Sequence, residues 1–202
     1  MALPTTDIRW PLPFTARLPG GARAALVAAL LVGLAPRAAT AQTFITREGT
    51  ATFTSSVPLH EFTGTSGALS GMISLETDTV DFFLDLATLD TGKKKRDKDM
   101  RRTLEVDEFP FAEFTGTLTT PVDLLQSEPQ PATVRGQFTL HGVTRDVVVH
   151  GTLTPRGEAL ELSAAWTLNL EDYRIEPPRL LVIKVDPEQD IEIRALLHTQ
   201  DP

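Results

Sequence analysis

Four histidines, His60, His141, His150 and His198, are the side chains of this chain best suited to proton transfer or metal ligation. None stands in the His-Glu-x-x-His spacing that places two imidazoles on one helix face, and the chain has no cysteine to complete a zinc set. His60 opens His60-Glu61-Phe62-Thr63-Gly64 and could meet His141 or His150 only across a sheet. Ser66 and Ser70 lie near glycines, but neither sits in a Gly-x-Ser-x-Gly elbow. Carboxylates are frequent, and along the strands they alternate outward, so no catalytic pair stands apart. No phosphate-cradling glycine loop is present. The densest charge cluster is cationic: Lys93, Lys94, Lys95, Arg96, Lys98, Arg101 and Arg102 are opposed only by Asp97 and Asp99. Such a segment can meet a phosphate or carboxylate through charge-assisted bonds, or it can be a solvated connector.

That segment lies between two strand-like stretches. Met100 and Leu104 are four apart and share one side of a helical turn. Thr91-Gly92 offers a helix start, because a threonine hydroxyl can accept from a first-turn amide. Phe109-Pro110 bars continuation. The expectation is strand, short basic helix or turn, strand. Elsewhere the apolar period is two, as in half-buried strands. Val80, Phe82, Leu84 and Leu86 share one face; Gly136, Phe138 and Leu140 share another. Val147, Val149, Gly151 and Leu153 run back after the turn at His141-Gly142-Val143-Thr144. Leu160, Leu162, Ala164, Trp166, Leu168 and Leu170 form a run long enough to require a curved strand. Ala51, Phe53 and Ser55, then Leu69, Gly71, Ile73 and Leu75, then Ile191, Ile193, Ala195 and Leu197 repeat the pattern. About eight antiparallel strands with one apolar face each fit a barrel or a sandwich, and periodicity does not separate the two. Nor does it say whether the interior is filled or holds a ligand.

The first 41 residues read as an export leader. Arg17 and Arg23 precede the apolar run 24–34, and Ala39-Thr40-Ala41 forms a small-x-small cleavage site. The expectation is a signal peptide over 1–41, a single domain over 42–202, and a periplasmic or secreted protein not stably inserted in a membrane after cleavage. From residue 42 onward there are 15 Lys and Arg against 26 Asp and Glu, a net of −11. The segment 93–102 alone carries +5, so the remainder carries −16. Such a body repels nucleic acid, and attraction to an anion must come through that one segment.

Asp90-Thr91-Gly92, Arg96-Asp97-x-x-Met100, Phe109-Pro110-x-Ala112-x-Phe114 and Gly136-x-Phe138-x-Leu140-His141-Gly142-Val143-Thr144 follow one another in this order. With Phe53-Thr54-Ser55-Ser56, His60 and Gly64-x-Ser66-x-x-x-x-Gly71, they resemble the YceI-like family of exported lipid-binding proteins over about residues 44–197. The tail departs from the commonest pattern of that family: Asp172-Tyr173-Arg174-Ile175 and Leu180–Val185 stand where Asp-Phe-Gly-Ile and Val-Gly-Asp-x-Val are usual. The resemblance implies an all-β fold, an extended lipocalin-like antiparallel β-barrel around a hydrophobic pocket. It also implies non-enzymatic binding of a long-chain isoprenoid or fatty amphiphile, with no cofactor.

On that reading the apolar pocket is expected from Phe53, Phe62, Phe82, Leu84, Phe114, Phe138, Leu140, Val147, Leu162 and Trp166. Lys94, Arg96, Arg101 and His60 are the expected head-group contacts. Two other readings stand beside it: an exported structural or stress-linked domain with a filled core, and a hydrolase or isomerase using His60 or His141. The sequence leaves the oligomeric state open.

Overall fold

The computed structural model describes residues 42–57, 60–176, 179–180, 183–184 and 186–200. The expected leader at 1–41 and Pro177-Pro178 lie outside these residues, as do Leu181, Val182 and Val185 of the unusual tail. The described residues form ten strands: β1 (Thr43–Val57), β2 (His60–Ser74), β3 (Thr79–Asp85), β4 (Phe111–Leu118), β5 (Gln130–Leu140), β6 (Val143–Arg156), β7 (Ala159–Asn169), β8 (Arg179–Leu180), β9 (Ile183–Lys184) and β10 (Glu188–Thr199). Eight of them close into an antiparallel barrel in the order β1-β10-β7-β6-β5-β4-β3-β2, and β8 and β9 pair separately. Closure decides between barrel and sandwich. Each of the eight barrel strands has a paired neighbour on both sides, although β6 meets β7 only over Gly151–Arg156 and β2 meets β3 only over Ser70–Ser74.

The expected faces are the observed ones. Val80, Phe82 and Leu84 of β3 point inward between exposed Asp81 and Phe83. Leu160, Leu162, Ala164 and Leu168 of β7 are all buried. The bend that a closing sheet requires is visible in β1, whose pairing register shifts between Thr46 and Ala51. Gly64 serves a different need: a Cβ there would lie 2.2 Å from the Phe53 ring, so only glycine lets that ring lie against β2.

The two ends of the barrel differ. One gathers the turn at Gly157-Glu158, the start of β1 and the ends of β2 and β10. There Phe44, Leu160 and Leu197 are 1%, 0% and 0% exposed and seal the interior. The other end gathers the turn at His141-Gly142, the end of β3 and the single α-helix among the described residues, α1 (Lys94–Thr103). Helix α1 starts differently from the sequence expectation. Its N-cap is Lys93, which makes no side-chain capping bond. Thr91 reaches into the helix instead, its amide and hydroxyl both donating to Asp97 Oδ1. The helix ends at Thr103, well before Pro110, and Glu105 adopts the left-handed conformation (φ 48°) just beyond its C-cap. Arg101 and Arg102 in its last turn suit the negative end of the helix dipole.

Candidate functional site: a barrel cavity under a basic helix

Inside the barrel is a cavity of about 600 Å³. Its wall is built from the inward residues of all eight strands, and the period-two pattern is what places them there. Leu69 and Ile73 of β2, Phe82 and Leu84 of β3, Leu118 of β4, Val149 and Leu153 of β6 and Leu162 of β7 are apolar wall residues. Of the ten pocket residues expected from sequence, Phe53, Phe62, Phe82, Leu84, Phe114, Phe138, Leu140, Leu162 and Trp166 all line this cavity. Val147 does not; it packs half-buried against the core, and Val149, one step further along the same face, takes the wall position. Aromatic rings gather toward the helix-covered end. Phe53 and Phe62 meet edge to face at 6.1 Å, and Phe138 meets Trp166 at 6.0 Å and Tyr173 at 5.7 Å. Tyr173 and Ile175, only 3% and 1% exposed, close part of this end from the segment between β7 and β8. Burial, together with the Asp172 carboxylate, pushes the Tyr173 phenol above its ordinary pKa, and Arg145 opposes this.

Helix α1 lies over the mouth. Met100 and Leu104, on one side of it as their spacing predicts, pack against the core and line the cavity. An internal node ties the helix down. Asp97, 8% exposed, accepts from the Thr91 amide at 2.9 Å and from the Thr91 hydroxyl. Arg96 donates from Nε to Thr91 Oγ1 at 2.9 Å and from Nη2 to the Thr91 carbonyl at 2.8 Å. Its guanidinium lies 4.3 Å above the centre of the Phe62 ring. The Asp97 carboxyl is held below the usual 3.8, chiefly by the Thr91 hydroxyl, then by the Thr91 amide, with Arg101 and Arg96 adding to it against burial.

Downstream of the helix, His141 Nε2 meets Glu105 Oε2 at 2.9 Å and His141 Nδ1 meets the Tyr173 carbonyl at 3.1 Å. These two contacts fix the plane of the imidazole between the loop after α1 and the segment after β7.

The head-group candidates are divided by the structure. Arg96 lines the cavity; Lys94 and Arg101 are exposed and do not. Lys93, Lys95 and Arg102, which residue order alone does not rank, do line it. The helical turn explains the exclusion: Lys94 and Arg101 are seven residues apart, about two turns, so they share one side of α1, and neither lines the cavity. His60 opens β2, but its side chain lies outside the described residues. The remaining histidines do not converge. His141 is held by Glu105 and Tyr173, His150 lies exposed beside Thr133, and His198 is exposed near the sealed end. Among the described residues no three His, Asp or Glu side chains come together to hold a metal. Sequence reading also missed two polar residues of the wall, Ser55 and Gln189, which are 1% and 5% exposed. Ser55 was visible as an inward position, and its hydroxyl was the signal.

Residues 38–197 match the YceI-like domain. The chain belongs to the YceI-like family. A UPF0312 protein of Pseudomonas savastanoi pv. phaseolicola is 30% identical over 111 residues, covering 51% of this chain and 55% of that protein. A UPF0312 protein of Pseudomonas putida strain W619 is 29% identical over 125 residues, covering 58% of this chain and 62% of its own length. The aligned region thus spans little more than half the length of these curated relatives. Two solved structures share the fold. A polyisoprenoid binding domain from Saccharophagus degradans, implicated in plant cell wall breakdown, superposes with a TM-score of 0.68 at 19% identity, over 79% of this chain and 99% of that one. Burkholderia cenocepacia BcnA superposes with a TM-score of 0.64 at 15% identity, over 75% and 96%. The barrel fold is therefore shared with these two structures.

Proposed function

We propose that this protein binds and carries a long-chain amphiphile, isoprenoid or fatty-acid-like, inside its barrel, without catalysing a reaction, outside the cytoplasm after removal of the leader near Ala41. The observation that carries the reading is the cavity: about 600 Å³, walled by aliphatic and aromatic side chains, with cations only where α1 covers the mouth. That volume falls in the range of about 300–1,000 Å³ usual for small-molecule sites. Each methylene buried there gains about 0.8 kcal/mol, so a long chain is held firmly without any directional contact. The polyisoprenoid-binding designation of the Saccharophagus domain supports the same ligand class. The charged residues of the wall, Lys93, Lys95, Arg96, Asp99 and Arg102, all stand where α1 covers the mouth.

Organic extraction of protein purified from the periplasm of its own source tests this directly. Mass spectrometry of the extract should show a long-chain lipid near one per chain. A brominated fatty acid or prenyl analogue should then quench Trp166, the only tryptophan outside the leader, saturably, while a short brominated alcohol should not. Lipid-free protein whose Trp166 emission no long-chain analogue perturbs would leave the barrel a structural domain.

A further inference from the structure

Two phenyl rings stand on the outside of the barrel, where an alternating strand usually turns polar side chains to water. Phe83 of β3 is 45% exposed and Phe111 of β4 is 43% exposed. They meet edge to face at 6.0 Å, so they form one apolar patch and not two scattered residues. The patch lies at the rim of the mouth. Phe111 pairs across to Asp85, the last residue of β3, and the Pro110 carbonyl just before it accepts from the Leu86 amide. Phe83 also borders the cavity, as do Lys93, Lys95 and Arg102, and all four are exposed. Side chains that border a cavity and also meet water mark where it opens. Lys94 and Lys98, one helical turn apart, extend the positive surface off the cavity wall. Lys93, Lys94, Lys95 and Lys98 make no ion pair among the described residues.

We propose that this rim is a docking surface for an anionic phospholipid membrane, with the α1 lysines on the phosphates and the Phe83–Phe111 pair at the boundary between headgroups and acyl chains. This rests on the carrier reading above and adds the surface from which its chain enters. Charge complementarity selects the partner. Segment 93–102 carries +5 and the rest of residues 42–202 carries −16, so an anionic plane attracts the helix, repels the body and turns the barrel mouth-first. A soluble acidic partner would meet the same lysines but would leave the two exposed rings without a use. A bilayer interface takes both, because apolar rings sink into it while neighbouring cations stay at the headgroups. The cargo points the same way: a long apolar chain is costly to expose to water, so the mouth gains by meeting the phase that holds it.

Vesicle sedimentation tests this, with the full chain as its own source processes it. Vesicles of phosphatidylcholine alone are compared with vesicles in which phosphatidylglycerol makes up about a third of the lipid. The protein should bind the anionic vesicles and not the neutral ones, and high salt should release most of it. Lys94→Glu with Lys98→Glu should weaken binding about tenfold. Phe83→Ser with Phe111→Ser should weaken it about fivefold. Val148→Ser with Leu196→Ser, which changes exposed apolar side chains elsewhere on the outer wall, should not weaken it. All six side chains are exposed, so each variant should melt where the wild type does. Equal losses from the Phe83–Phe111 and Val148–Leu196 variants would overturn the proposal, because any apolar surface would then serve. Full binding after loss of the two rings would also overturn it and make the helix a general polyanion site, open to an acidic protein. Failure to bind anionic vesicles would overturn the docking surface alone, since lipid extraction and Trp166 quenching test the carrier reading without a membrane.

Discussion

The sealed end of the barrel and its helix-covered end are built from the same alternating strands, yet they do opposite things. At the sealed end Phe44, Leu160 and Leu197 are excluded from water and from the cavity alike. At the covered end Phe53, Phe62, Phe114 and Trp166 are only half-buried, because the cavity stands where neighbouring side chains would otherwise pack. The first arrangement stores stability. The second gives some of it up to keep a volume open. A barrel can do this because its hydrogen-bonded wall is continuous, so one end can hold the fold while the other remains unfilled.

The largest expected effect separates the two ends directly. Phe44→Ala should cost about 3–5 kcal/mol of stability, as loss of a fully packed ring does. Phe62→Ala should cost about 1–2 kcal/mol, since much of that ring already borders open space, but should weaken long-chain binding about tenfold. Urea unfolding beside ligand titration reads both quantities. Equal destabilisation by the two substitutions, with binding unchanged, would erase the distinction between the ends.

A smaller effect concerns how firmly the helix closes the mouth. Asp97→Asn should leave the barrel folded but speed ligand release several-fold in stopped-flow exchange, because it removes the charged acceptor that holds Thr91. The depressed Asp97 carboxyl gives this contact a pH signature. A group whose folded pKa lies below its unfolded value stabilises fully above the ordinary 3.8, and that stabilisation is lost as pH falls through the lowered folded value. The wild type should therefore release ligand faster at the acid end, and Asp97→Asn should flatten the profile. A variant with the wild-type profile would show that the node does not control closure.

The smallest effect sharpens the comparison within the helix itself. Lys95→Glu with Arg102→Glu should weaken a phosphorylated long-chain alcohol about three- to tenfold relative to the neutral alcohol, less so at high salt, since these side chains are exposed and screened over a Debye length of about 10 Å at 0.1 M. Lys94→Glu with Arg101→Glu makes the same charge change off the cavity wall and should do less. If both pairs act alike, the helix works only as a diffuse positive patch.

Much of this was legible from residue order. Side chains alternate on a strand, so Phe82, Leu84, Phe138, Leu162 and Trp166 could be assigned to one face from local sequence alone. The same alternation placed Val147 inward, and it does pack against the core, but Val149 takes the wall position instead. Which inward residues border the void depends on how all eight strands meet around it, not on one strand. The helix shows the same division. Its existence and its Met100–Leu104 face followed from spacing. Which cations turn toward the mouth depended on the Thr91–Asp97–Arg96 node, a contact that reverses the capping role expected of Thr91. The sequence by itself determined the inward face of each strand, the basic segment and the family, because these rest on periodicity and on short ordered motifs. Only the tertiary structure decided that the barrel encloses a cavity, that Lys93, Lys95 and Arg102 rather than Lys94 and Arg101 border it, and that Ser55 and Trp166 lack partners. Enclosed volume and hydrogen-bond pairing are properties of how distant strands meet, and no local pattern encodes them.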